Sequence, residues 1–230
     1  MSAQSSHELL DIIAPLARLS SQSYKFDEFV EEVLTLINKI VVADSCFIYL
    51  FEPKSQELIL RGSKIKKKRE LGEVRMHLGE GITGWVAKHL ESVVLKNEAF
   101  KDPRFKTFNQ LPEDEFHAFA SIPIILKGHI VGVINLQNKE PYNFPREEIS
   151  LLEAIAQIFA SGFEQFTLRT KVTELENKLE DRKLIEKAKG VMMAKMGISE
   201  SEAYKLMRSE AMKKRKSLKE LAEAAIMLWG

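Results

Sequence analysis

The 230-residue sequence is poor in cysteine, tryptophan and long apolar runs. Its one cysteine, Cys46, excludes an intrachain disulfide and a cysteine-rich metal cluster and is typical of a reducing compartment. No uninterrupted apolar run approaches the ~20 residues that a membrane-spanning helix needs. The opening residues, MSAQSSHELLDII, combine early acidic residues with no basic segment, which predicts no secretory signal. We therefore expect a cytoplasmic protein that has no membrane partner.

Motifs of common enzymes are also missing. The sequence has no phosphate-binding glycine loop of the Walker type, no Gly-x-Ser-x-Gly and no His-Glu-x-x-His. The histidines share no metal-ligand spacing, which predicts neither a metal site nor a haem ligand. We expect a protein that is not an enzyme. His117, just before an apolar strand pattern, is the candidate contact for a small ligand.

The charge is small overall but unevenly distributed. The net charge is +1, yet residues 181–230 hold 12 Lys/Arg and 7 Asp/Glu, a net of +5 that leaves −4 for the other 180 residues. A basic segment on an acidic body indicates a polyanionic partner for that segment. A solvated helical face is the alternative interpretation.

Apolar spacing divides the first part of the chain into helices and strands. Residues 7–22 and 26–41 repeat apolar side chains at helical spacing, and later β-rich runs form two predicted hairpins. These runs are 45–51, 57–61, 119–126 and 129–137. The pattern is typical of an α+β domain in which an antiparallel sheet is flanked by helices.

From Pro145 onward the pattern is helical and increasingly charged. Apolar residues recur every three or four positions between charged flanks, as in a coiled-coil seam. They are Leu168, Val172, Leu175 and Leu179. An isolated helix this polar is only marginally stable, so we predict a homodimer through a coiled coil with a second copy. Whether residues 7–22 join that interface or cover the sheet is left open.

Explicit boundary signals divide the C-terminal region into three short helices. Gly197 is placed to end the first helix in a left-handed conformation. The second and third helices each begin with a capping box, in which a serine and a glutamate three residues later satisfy each other's backbone N–H groups. The expected core of this small three-helix bundle consists of Val191, Met192, Ala203, Leu206, Met207, Leu218, Leu221, Ala222, Ala225 and Ile226.

Four segments of the first part of the chain share a family pattern. They are LGEGITGWVAKHLESVVL, KDPRF, SIPIILKGHIVGVINLQNK and FPREEISLLEAIAQIFASGFE. On these segments, residues 26–165 resemble a GAF domain, the small-ligand and signalling module. The resemblance implies that this part senses a small molecule or another signal, without identifying a ligand. The cyclic-nucleotide signature of some GAF domains is incomplete, since Glu148-Ile149 stands where an acidic pair is required.

The C-terminal region carries a second family pattern in the family's order and spacing. It consists of Ile185, Ala188-Lys189-Gly190, Met192, the GISESEAY block, Leu206, Arg208, Ala211-Met212, Leu218 and Ala222. On these residues, 181–230 resemble an ANTAR domain, the RNA-binding module of transcription antitermination regulators. Met207 is a mild departure, since many members have Leu-Arg where this chain has Leu206-Met207-Arg208. The resemblance implies binding of paired stem-loops in a leader transcript, which prevents terminator formation.

Gly190 and its lysines form the first part of the predicted RNA-binding surface. A glycine inside a helix costs roughly 1 kcal/mol relative to alanine, but on a surface it lets another backbone approach closely. Beside Lys187 and Lys189 it would offer a basic notch for a phosphate or a splayed base. Lys189 is expected to be exposed because Ala188 and Met192 face inward. Packing of Gly190 against another helix of the bundle is the alternative.

The second helix of the bundle supplies the rest of the predicted surface. Tyr204 and Arg208 share a face with Ala211 and suit base stacking and contacts to phosphates or base edges. A half-buried core position is the alternative for Tyr204. The basic residues after them are predicted to lie between the second and third helices and to make sequence-independent phosphate contacts. These residues are Lys213, Lys214 and Arg215, followed by Lys216.

The sequence as a whole predicts a signal-responsive antitermination regulator. It combines a GAF-like sensor at 1–165, a coiled-coil linker helix at 166–184 and an ANTAR-like RNA-binding domain at 185–230. A signalling adaptor whose helical tail docks a protein partner is the alternative function. Duplex DNA is the alternative nucleic acid, although the second helix has few side chains suited to base edges in a major groove. The target transcripts, and the signal state that binds RNA, are left open.

Overall fold

The computed structural model describes residues 25–64, 71–106 and 116–230. The predicted helix over residues 7–22 lies outside the described residues. The chain forms two compact units, divided between Phe166 and Thr167. One helix, Arg146–Met196, crosses this division without a break, as the sequence predicts.

The first unit is built on an antiparallel sheet, six-stranded within the described residues. The strands are β1 (Ser45–Glu52), β2 (Glu57–Ser63), β3 (Arg75–His77), β4 (Val93–Leu95), β5 (Ala118–Leu126) and β6 (His129–Asn138), in the order β3-β2-β1-β6-β5-β4. The predicted hairpins are β1–β2 and β5–β6. The second hairpin turns at Lys127-Gly128, where both residues have positive φ, as tight hairpin turns require. The predicted α+β class is confirmed.

Helices cover both faces of this sheet. They are α1 (Phe26–Ile40), α2 (Gly81–His89) and the first turns of α3 (Arg146–Met196), and a short 3-10 turn lies at Ala99–Lys101. Because side chains alternate along a strand, β1 contributes Ile48 to the core shared with α1 and α3 and Tyr49 to the core shared with α2. Both faces of the sheet are therefore buried.

A chain of buried polar groups joins α2 to the sheet. The Ser121 hydroxyl of β5 donates a 2.7 Å hydrogen bond to Asn135 Oδ1 of β6. Asn135 Nδ2 in turn donates a 2.6 Å hydrogen bond to Thr83 Oγ1 of α2. All three side chains are buried. Since buried polar groups are stable only when hydrogen-bonded, these contacts specify where α2 sits on β5 and β6.

The second unit is a bundle of the last turns of α3 with α4 (Glu200–Lys214) and α5 (Leu218–Trp229). Its core uses small or flexible side chains. The buried members are Ala188, Met192, Ala203, Met207, Ala222 and Ala225. The prediction that Leu206 belongs to this core is wrong, since Leu206 is 37% exposed. Met207 takes the inward position, and consecutive residues of a helix point ~100° apart.

The predicted end of α3 and the predicted starts of α4 and α5 are confirmed. Gly197 adopts a φ of 66° where α3 ends. Ser199 and Glu202 form the capping box of α4, and Ser217 and Glu220 form that of α5. In each box the serine hydroxyl accepts the glutamate N–H, and the carboxylate accepts the serine N–H.

The middle of α3 carries the predicted seam. Leu168, Val172, Leu175 and Leu179 lie at alternating spacings of four and three residues, and each is 52–57% exposed. Such a line of exposed apolar side chains on a polar helix is typical of a coiled-coil surface. The partner helix itself stays a prediction.

The hydrogen bond to Thr83 can be tested by a pair of substitutions. Thr83→Val removes the acceptor and leaves the buried Asn135 amide without this partner, so we expect the free energy of unfolding in urea to fall by about 1–3 kcal/mol. Thr83→Ser is the matched control, because it keeps the hydroxyl and loses only a methyl group. A valine variant as stable as the wild type, beside a destabilised serine variant, would show that methyl packing fixes α2 instead.

Candidate nucleic-acid interface

Lys189 forms two ion pairs, one within α3 and one that connects α3 to α4. Its Nζ lies 2.7 Å from Glu186 Oε2 on α3 and 2.7 Å from Glu200 Oε1 at the start of α4. The hydrogen bonds to Glu186 and then to Glu200 raise the pKa of Lys189 above its ordinary value and stabilise the charged form. Lys189 therefore remains a cation, neutralised by two carboxylates.

The prediction that Lys189 is exposed is wrong. Its side chain is only 10% exposed. Position 189 lies four residues after Ile185 and three before Met192, so it falls beside the inward face of α3 rather than opposite to it. At the edge of the core its aliphatic stem is covered while its ammonium group reaches the carboxylates.

Gly190, the next residue, has open space around it. Apart from its chain neighbours and the nearby backbone of α3, no heavy atom of the described residues lies within 4 Å of where a Cβ would stand. The alternative that Gly190 packs against another helix of the bundle is therefore wrong for this chain. Lys187 is exposed one turn earlier on the same outward side of α3.

Tyr204 and Arg208 form an exposed stripe along α4. They follow Glu200 at intervals of four residues, so the three share one side of the helix. Because Glu200 holds Lys189, this side of α4 begins against α3, close in sequence to Gly190. Tyr204 is 40% exposed and is not among the core residues of the bundle. Ala211, in contrast, is buried and does not share the exposed face.

The basic residues at the other end of α4 are placed differently from the prediction. Lys213 and Lys214 belong to the last turn of α4 and pair with Glu210 at 3.4 and 3.2 Å, which lowers the pKa of that carboxyl group. Arg215 and Lys216 follow the helix, and Arg215 adopts a left-handed conformation. Lysines in a last turn are favoured by the helix dipole, which favours continuation of the helix through Lys214.

The predicted RNA-binding residues thus fall into two groups. Lys187, Gly190, Tyr204 and Arg208 lie on the outward sides of α3 and α4 near the Lys189–Glu200 contact. The second group begins five residues beyond Arg208, about 8 Å further along α4. Sequence reasoning missed Glu186 and Glu200 as partners of Lys189, although the i, i+3 spacing of Glu186 and Lys189 would have indicated the first of them.

His117, the predicted ligand contact, belongs to the first unit. Its Nδ1 lies 2.9 Å from Asn97 Oδ1, and its ring meets the Phe100 ring edge-on at 5.2 Å. These contacts tie the histidine to the 3-10 turn, and its role toward a ligand stays a prediction. Among the described residues, no group of three His, Cys, Asp or Glu side chains could hold a metal ion. The same residues include no helix with the length and apolar character to cross a membrane.

The two units together define a two-domain protein, an α+β sheet domain continued by one helix into a helical bundle. Family models match both parts: the GAF domain model covers residues 24–164 and the ANTAR domain model covers residues 173–226. The chain belongs to the GAF domain family and carries an ANTAR domain after the GAF domain.

Known relatives match one part of the chain each. The transcriptional regulatory protein PdtaR of Mycobacterium tuberculosis is 36% identical over 83 residues, 36% of this chain and 40% of the relative. The nitrate regulatory protein of Klebsiella oxytoca is 41% identical over 59 residues, 26% of this chain and 15% of the relative. The chain thus spans less than half the length of these curated relatives.

A solved structure matches the sheet domain. The GAF domain of a phosphoenolpyruvate-protein phosphotransferase from Coxiella burnetii superposes with a TM-score of 0.65. The match covers 72% of this chain and 98% of that structure at 22% identity, and it shows the fold alone.

The open space at Gly190 gives a stability prediction. Gly190→Ala meets no neighbour and gains helix propensity, so we expect the bundle to become more stable by about 1 kcal/mol in urea or thermal unfolding. Gly162→Ala is the matched control in the same helix, because its Cβ would lie 2.5 Å from the buried Phe29 ring. That variant is expected to lose stability. A comparable loss in both variants would restore the packing interpretation of Gly190.

Proposed function

We propose that the protein is a signal-responsive, RNA-binding regulator of transcription antitermination. The observation that carries the proposal is the exposed stripe of Tyr204 and Arg208 on the side of α4 that begins at the Lys189–Glu200 ion pair, next in sequence to the open Gly190, within a segment that matches the ANTAR domain model. Two relatives that match part of the chain are named as a transcriptional and a nitrate regulatory protein. The GAF domain is the proposed sensor of a small molecule or another signal.

The chemistry of the surface suits an RNA loop. The Tyr204 ring offers a plane for stacking an unpaired base, and the Arg208 guanidinium can bind a phosphate or a base edge. Lys187 adds a phosphate contact, and Gly190 allows the RNA backbone to approach α3 without meeting a side chain. Lys213, Lys214 and Arg215 extend the positive surface for sequence-independent contacts.

A homodimer would present two such surfaces. Pairing of the α3 seams buries Leu168, Val172, Leu175 and Leu179 and links two bundles. Two connected stem-loops then bind with a high effective concentration, without stronger individual contacts. Holding both stem-loops would prevent the competing terminator from forming. A signal that changes the pairing of the α3 helices would change whether both surfaces can act together.

A signalling adaptor is the second candidate function. The observation that favours it is the exposed apolar side chains at the end of α5, Met227 and Leu228. Such side chains suit docking to a protein partner. Ionic strength separates the two functions, because RNA binding falls steeply as salt rises and mainly apolar docking does not.

RNA binding is tested with a two-hairpin RNA and a duplex DNA of equal charge, titrated over a range of salt concentrations. We expect RNA-selective binding that Arg208→Ala weakens by about 1–3 kcal/mol. The thermal midpoint should stay nearly unchanged because Arg208 is exposed. Arg61→Ala is the matched control, since it removes the same charge from an exposed position in the GAF domain. Equal binding of RNA and DNA, or equal losses in both variants, would contradict the proposed surface.

The proposed dimer is tested by sedimentation equilibrium. Leu175→Glu places a charge in the middle of the seam, where two copies would face each other, so we expect dimers to dissociate into monomers. Val42→Glu is the control, because Val42 is an apolar residue outside α3 that is even more exposed than Leu175. A Leu175→Glu variant that remains dimeric would exclude the seam as the interface.

A further inference from the structure

We propose that Lys189 is a positioning residue of the RNA-binding surface rather than an RNA contact: its ion pair with Glu200 holds the Tyr204–Arg208 stripe of α4 beside Gly190 on α3. This inference rests on the proposed function and assigns Lys189 a different role within the same site. The residues that carry it are Lys189 itself and the two carboxylates of Glu186 and Glu200.

The surroundings of Lys189 disfavour a contact with phosphate. Its side chain is 10% exposed, and its Nζ already has a carboxylate oxygen at 2.7 Å on each of two sides. Glu186 and Glu200 are both exposed, so they stand nearer to solvent than the ammonium group does. An approaching phosphate would meet these two negative charges before it reached Nζ, and like charges at close range repel.

The Lys189–Glu200 contact is placed where it can position α4 relative to α3. Glu200 is the first residue of α4, directly after the Ser199 cap. Tyr204 and Arg208 follow it by one and two turns on the same side of the helix. Lys189 precedes Gly190 in the chain. The Lys189–Glu200 ion pair therefore holds the side of α4 that carries Tyr204 and Arg208 toward α3 at the level of the open notch.

A contribution to overall stability is a weaker explanation of this contact. Both glutamates are exposed, and ion pairs with exposed partners contribute little to the free energy of unfolding because water and salt screen them. The core residues of the bundle hold the helices together independently. Loss of the ion pair is therefore expected to affect the orientation of α4 more than the survival of the fold.

Salt dependence distinguishes positioning from phosphate contact. With the two-hairpin RNA, we expect Lys189→Met to weaken binding about five- to tenfold at every salt concentration while leaving the slope of log Kd against log salt unchanged. Lys187→Met is the matched control, because an exposed lysine that contacts phosphate should reduce that slope by roughly 0.7–0.9. A reduction of the slope in Lys189→Met equal to that in Lys187→Met would overturn the inference.

Glu200→Gln gives a test in which the two explanations predict opposite signs. The substitution removes a negative charge near a polyanion, so electrostatics alone predicts tighter RNA binding. Positioning through the Lys189–Glu200 contact predicts weaker binding, with the double variant Lys189→Met/Glu200→Gln losing less than the sum of the single variants. Lys189→Arg, which keeps the charge and the reach, should recover most of the affinity. Tighter binding by Glu200→Gln would overturn the inference.

An NMR measurement without RNA tests the positioning role of Lys189 independently of the proposed function. We expect the NMR signals of the Tyr204 ring to shift in Lys189→Met and in Glu200→Gln, and to stay in place in Lys187→Met. Unchanged Tyr204 signals in the first two variants would overturn the positioning role. A wild-type protein that binds no RNA would overturn the proposed function, while the Tyr204 signals would still decide the role of Lys189.

Discussion

The continuity of α3 is the constraint on which the rest of the structure depends. One unbroken helix passes through three environments: its first turns bury Leu152 and Phe159 against the sheet, its middle exposes the seam, and its last turns bury Ala188 and Met192 in the bundle. A long helix gains most of its stability from packing of its apolar face. The two ends have such packing within the described residues, and the middle is where we propose the partner helix.

Local signals in the sequence were sufficient for the two hairpins and for the helix boundaries at Gly197, Ser199 and Ser217. The alternation in β5 and β6 around Lys127-Gly128, and the serine–glutamate pairs that begin α4 and α5, each depend on residues a few positions apart. Local chemistry of this kind has few alternative outcomes, which is why it could be predicted. The Ser121–Asn135–Thr83 contacts join three separate elements, and no local pattern indicates them.

The candidate site was less predictable because it lies at the edge of a core. A helical repeat indicates which residues face directly inward. Whether a residue at the edge of that face is buried depends on the neighbouring helix. Lys189 is covered because α4 begins beside it and supplies Glu200, and the spacing within α3 contains no information about that contact. The prediction for Leu206 is wrong in the opposite direction, because this apolar residue was expected in the core and lies on the exposed side of α4 beside the buried Met207.

The residues around Gly190 are not the ones that would make the bundle most stable. An alanine at this position would fit and would favour the helix, yet the chain has a glycine with nothing packed against it. Tyr204 is likewise an aromatic residue outside the core, and the lysine nearest to the notch is neutralised by two carboxylates instead of facing outward. Departures from what stability alone would favour tend to concentrate at functional sites. Their coincidence here is the physical reason to propose RNA contacts on this side of α3 and α4.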